Sequence, residues 1–123
     1  MSLDVYLEIT RNEPHTCIYC DTEFPTTTDT VFDANITHNL NDMAAEAGIY
    51  EHLWRPEEIG ITKAAQLIEP LRKGVALMKA DPERFQKHNP KNGWGSYDIF
   101  VPWIEKYLAA CEEYPEADVS ASR

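Results

Sequence analysis

Apolar and polar positions alternate strictly at the start of the chain. Leu3, Val5, Leu7 and Ile9 fall on one side, and Asp4, Tyr6 and Glu8 on the other. A period of two is the signature of a strand buried on one face. The alternation returns in 30–36, with Phe32, Ala34 and Ile36 on one face, and again at Ala117, Val119 and Ala121. Between these stretches the period lengthens to that of a helix. Thr37 suits a helix N-cap, since its hydroxyl can accept from a free amide two or three residues on. Leu40, Met43, Ala44 and Ala47 then form an inward stripe, and Gly48 can end the helix in a left-handed conformation.

The segment 49–58 reads as a connection in which Pro56 keeps Arg55 out of helical geometry. Ile61, Ala64, Ala65, Ile68, Leu71, Val75 and Met78 mark a second helix, capped by Thr62, and Pro70 inside it predicts a kink or a break. The stretch 80–95 reads as loop with one short turn. A third helix spans about 96–113 and carries two apolar stripes. Tyr97, Phe100, Val101, Ile104, Leu108 and Cys111 form one; Trp103, Tyr107 and Ala110 form the other, which offers a surface to a second copy in a homo-oligomer.

Strands at both ends with helices between them predict an α+β fold: a small, mostly antiparallel sheet with about three helices on one face. No repeat or linker divides the chain, so 1–123 reads as one domain, with a long polar excursion or hairpin over about 11–29. A length of 123 residues suffices to bury a core without disulfides or metals.

Charge changes the picture more than composition does. Residues 1–62 hold twelve of the 21 acids and only two bases, Arg11 and Arg55; the remainder holds nine of each, so the net charge of −10 belongs to the first half. That sign disfavours binding of a nucleic-acid backbone. It suits either a solvated acidic surface or an acidic face offered to a basic protein partner. No apolar run approaches the ~18 residues that cross a bilayer. The opening residues do not resemble a signal peptide, and three cysteines fit a reducing compartment, so the expected location is the cytoplasm.

Three stretches carry candidate chemistry. Cys17 and Cys20 have the spacing of a zinc half-site, to which His15 could add a ligand. The second half-site is missing, and only His38, His52 or His88 could complete it. At the mouth of the first helix, Asn35, Thr37, His38 and Asn39 gather polar groups beside free amides, while Trp54 and Arg55 add a ring and a solitary cation. Ring, cation and amides together suit a nucleotide-like ligand. Against that, Arg55 has Glu57 and Glu58 close by in sequence as ion-pair partners. In the third stretch, Asn92-Gly93 marks a turn that holds out Trp94 before the last helix, either as a core plug or presented to a partner; with Tyr97 and Trp54 it would wall an aromatic pocket. Enzymatic templates are missing: there is no nucleophile elbow, phosphate loop or His-Glu metal helix. An acid–base pair built on His38 is the one enzymatic option that remains, and binding is the preferred reading over it.

The strings NITHNL (35–40), LWRPEEIGI (53–61), NGWG (92–95) and YLAACEEYP (107–115) resemble a family of small bacteriophage and prophage proteins with no established activity. The likeness starts at the N-terminus and covers most of the chain; 13–29 fits poorly and looks like a variable insertion. The resemblance implies a phage accessory protein acting in a bacterial cytoplasm. Such proteins commonly act by binding. The expectation is therefore a non-catalytic homo-oligomer that sequesters a nucleotide-like molecule, such as a host antiviral defence signal. The alternative is an acidic inhibitor that binds a host protein through the Asp/Glu-rich first half.

Overall fold

The computed structural model describes residues 2–11, 15–16, 23–24, 27–91 and 95–123. Strand β1 (Ser2–Arg11) is followed by β2 (His15–Thr16), β3 (Glu23–Phe24) and β4 (Thr27–Thr37). A 3₁₀ turn (His38–Leu40) leads into α1 (Asn41–Glu46), α2 (Tyr50–Trp54) and a second 3₁₀ turn (Pro56–Ile59). Helices α3 (Ala65–Ala80), α4 (Pro82–Gln86) and α5 (Tyr97–Glu113) precede the last strand, β5 (Asp118–Ser122). The fold is α+β. Its sheet is antiparallel with order β4-β1-β5, and β2 and β3 form a separate two-stranded antiparallel pair.

Register follows from the alternation. Leu3, Val5 and Leu7 lie opposite Ile36, Ala34 and Phe32, which puts all six side chains on one face. Leu3, Val5 and Leu7 are wholly buried beneath the helices. The pairing shifts between Leu7 and Glu8, so Val31 is the extra residue of a bulge. On the outer face stand Asp4, Tyr6 and Glu8 of β1, Asp33 and Asn35 of β4, and Asp118, Ser120 and Ser122 of β5.

Several local expectations need correction. Residues 49–58 are not a plain connection. Ile49, Leu53 and Trp54 are buried on one side of α2, and that packing makes a helical turn stable. Pro56 then opens the next turn as its first residue, where its missing N–H costs nothing, and Arg55 between the two is non-helical (φ −137°, ψ 51°). Thr62 does not cap α3 by accepting. The Gln66 side chain reaches back instead, its Oε1 accepting from the Thr62 and Lys63 amides at 2.8 and 2.9 Å and from the Thr62 hydroxyl.

Helix α3 runs without a break through Pro70, because Leu67, Leu71, Gly74, Val75 and Met78 anchor its buried face on both sides of the proline. The expected inward residues Ala65 and Ile68 are exposed and partly exposed; Leu67 and Gly74 take that side. Residues 82–86 of the expected loop form α4, closed onto the core by wholly buried Phe85. The second stripe of α5 is mostly covered within the chain, with only Trp103 half-buried. Tyr107 and Ala110 are 1 % and 7 % exposed, and the Tyr107 ring stacks on Phe32 of the sheet at 5.7 Å.

Candidate functional site

Strand β4 ends where Thr37 turns the chain. Its Oγ1 accepts from the Asn39 amide at 3.3 Å, as an N-cap should, but the turn it starts is a three-residue 3₁₀ helix ending at wholly buried Leu40. Gly95, just before α5, presses on this corner. A Cβ there would sit 2.7 Å from Thr37 Cγ2 and 3.1 Å from Leu40 Cγ, and its φ of +92° suits glycine alone. The corner is thus wedged between the sheet and the start of α5.

Inside the corner lies a run of rings. Trp54, only 1 % exposed, stacks on Tyr50 at 5.6 Å and meets the edge of His38 at 6.3 Å and of Phe100 at 6.4 Å. Phe100 stacks on Trp103 at 6.2 Å, and Trp103 meets Tyr107 at 5.9 Å. Three polar atoms in this run are shut off from solvent with no hydrogen-bond partner: His38 Nε2, Trp54 Nε1 and Trp103 Nε1. Buried indole N–H groups nearly always find an acceptor, and leaving one unpaired costs about 1–3 kcal/mol. Rings supply stacking surface here, and the two orphaned indole N–H groups ask for oxygen acceptors.

Arg55 stands at the rim of the run. Its Nη1 pairs with Glu58 at 2.7 Å, and its Nε donates to the Tyr50 hydroxyl at 3.2 Å. The Glu58 hydrogen bond, then the Tyr50 one, raises its pKa, so the guanidinium stays charged. Its partner is internal, as the nearby acids foreshadow. Arg123 ties the same region from the other side, donating to the Trp54 carbonyl at 2.8 Å and to Glu57 at 2.5 Å.

The expected ligand residues do not all converge. Thr37, His38, Trp54 and Arg55 share this corner. Asn39 is exposed beside it. Asn35 lies on the outer face of the sheet, where its Nδ2 donates to Ser2 Oγ at 2.9 Å and to Asp4 Oδ1 at 2.7 Å. Tyr97 turns to α3: its hydroxyl donates to the Met78 carbonyl and its amide to Asn89 Oδ1, both at 2.8 Å. Trp94, Cys17 and Cys20 lie outside the described residues, and of His15 only the backbone, in β2, is described. Among the described residues no group of three or more His, Cys, Asp or Glu could hold a metal ion, and no helix is long and apolar enough to cross a membrane.

Tyr50, Phe100, Trp103 and Tyr107 are the members of the run that were not among the expected ligand residues. Their signal was present but local: a stack at i, i+4 joins Tyr50 to Trp54, and spacings of three and four along α5 join Phe100, Trp103 and Tyr107. Comparison of the chain with protein-family models, curated proteins and solved structures finds no match.

Proposed function

We propose that the protein is a non-catalytic binder that holds a planar, acceptor-rich small molecule of the nucleotide type at the His38–Trp54 corner and so removes it from solution. The observation that carries this reading is the set of three unpaired ring nitrogens within one run of aromatic rings. A nucleobase or ribose offers oxygens to the indole N–H groups and a flat surface to the rings. The guest enters past His38 and Tyr50, which flank Trp54 and are only partly covered. Arg55 serves a phosphate only by giving up Glu58, an exposed pair of small worth. In the setting implied by the family resemblance, such a guest is a host defence signal.

Native mass spectrometry of the protein from its expression host, before and after denaturation, tests this. The expected result is added mass released as a nucleotide, and its loss in Trp54→Phe, which keeps a ring but removes the N–H. A bare chain that shows no thermal shift across a nucleotide panel would sink the reading.

A second reading is supported by the outer sheet face. Asp4, Glu8, Asp33 and Asp118 surround Tyr6 there, and Glu8 lies directly opposite Asp118. Lys63 bonds to Asp118 from the edge, and among the described residues no base stands on the face itself. Like charges left together on an uncovered face suit a basic protein partner whose affinity falls steeply with salt. Glu8→Lys with Asp33→Lys should abolish capture of such a partner at low salt. Capture that is unchanged by both substitutions would dismiss this face.

A further inference from the structure

Away from the aromatic corner, α3 borders an opening toward the turn at Gly48. Pro70 and Gly74 lie one turn apart on α3, and Gly48, with φ 76°, sits on the facing turn between α1 and α2. With Leu77 they leave a groove of about 380 Å³, within the range that small-molecule sites occupy.

Three polar side chains line the groove: Glu69, Lys73 and His52. Lys73 has no ion-pair partner among the described residues, whereas the Glu69 carboxylate on the same wall is engaged by Arg72 at 3.2 Å. His52 lines the other side, and its Nδ1 is shut off from solvent with no partner. An unpaired buried lone pair is tolerated better than an unpaired N–H, so the ring proton belongs on Nε2. Burial, opposed more weakly by Glu51, lowers the His52 pKa and keeps the imidazole neutral. With Glu69 offset by Arg72, the groove offers one unpaired ammonium and one neutral N–H donor beside apolar walls.

We infer that this groove binds a small organic carboxylate, its apolar body lying over Pro70 and Gly74 and its two oxygens between Lys73 Nζ and His52 Nε2. Since Arg72 balances Glu69, the one uncompensated positive charge, on Lys73, matches a monoanion. A phosphate dianion would need a second cation, and it would leave the apolar walls unused. The site is separate from the aromatic corner and stands or falls without it.

Titration of the ¹⁵N-labelled protein with benzoate at neutral pH, followed by amide and imidazole NMR shifts, tests the inference, with benzamide as the neutral control. Benzoate should give saturable shifts at Gly48, His52 and Gly74, and benzamide should bind roughly tenfold more weakly, as expected when a charge-assisted contact is lost. Lys73→Met should weaken benzoate binding to the same degree. Pro70→Leu should abolish it, because the leucine side chain stands in the groove while its N–H restores a helical hydrogen bond and keeps the chain folded. Linear, unsaturable shifts would overturn the proposal. So would equal binding of benzamide, or a Lys73→Met variant that binds benzoate as the parent does.

Discussion

Ile49 and Gly74 meet so closely that no side chain fits between them: a Cβ on Gly74 would lie 2.8 Å from Ile49 Cγ2 and 3.2 Å from its Cδ1. Glycine in a helix interior ordinarily costs ~0.5–1 kcal/mol against alanine. Here the close approach of α3 to Ile49, at the head of α2, requires it. Gly74→Ala should therefore destabilise the fold by about 1–3 kcal/mol, the usual cost of overpacking, instead of stabilising it. A double-mutant cycle in urea with Ile49→Ala checks the cause. Removing Ile49 should cost less in the Gly74→Ala background than in the parent.

Trp54 separates the stability of the corner from its chemistry. The side chain is 1 % exposed and touches Tyr50, His38 and Phe100. Trp54→Ala should cost about 3–5 kcal/mol, the range for emptying a large aromatic site. Trp54→Phe loses volume but also discards the unpaired Nε1, so its net cost should stay within about 1.5 kcal/mol. Denaturant midpoints of the two variants check this. A phenylalanine variant as unstable as the alanine one would mean that Nε1 does find a partner in the folded chain.

Much of the sheet was legible because its face is read at every second residue. One buried face of β1 and the matching face of β4 specify the register between them, and 117–121 announced the third strand in the same way. The helices were less legible where their ends depend on tertiary contacts. Leu53 and Trp54 bury α2 against the core, and no local propensity announces a five-residue helix that ends before a proline. Tyr107 shows the same limit: periodicity placed it on an apolar stripe, but only the fold shows that Phe32 covers it. The corner itself was half legible. Its helix mouth and its Trp-Arg pair stand out in sequence, whereas the meeting of Trp54 with Phe100 joins residues 46 positions apart. Asn35 fell on the other face of the sheet because strand alternation, not proximity to the turn, sets where it points.

Cys111 offers a simple probe of opening. It is wholly buried on α5, and burial, with a smaller contribution from Glu112, pushes its thiol up to about 12. Thiolate is the reactive form, so at mildly alkaline pH the native chain should hold this thiol inert. In a Cys17→Ser/Cys20→Ser background, a disulfide reagent should label Cys111 no faster than the chain unfolds, and fully in denaturant. Rapid labelling of the native variant would contradict the packing of α5.

Acid should weaken the fold in two stages, each with its own residues. His52 has a pKa lowered below 6.5, chiefly by burial, so the folded state prefers the neutral ring. The unfolded chain takes up that proton first, and the contribution of His52 is present above about pH 6.5 and lost as pH falls through the folded value. Glu46 and Glu57 have pKa values below 4.5, the first held down by its hydrogen bond to Arg84, the second by its hydrogen bond to Arg123. Their contribution is present above the unfolded carboxylate value and disappears only at lower pH. Urea midpoints measured against pH should therefore fall first below about pH 6.5 and again below about pH 4.5. His52→Gln should flatten the first fall and leave the second. Glu46→Gln should do the reverse, with the smaller amplitude expected of an exposed pair. A first fall that survives His52→Gln would place the titrating group elsewhere in the chain.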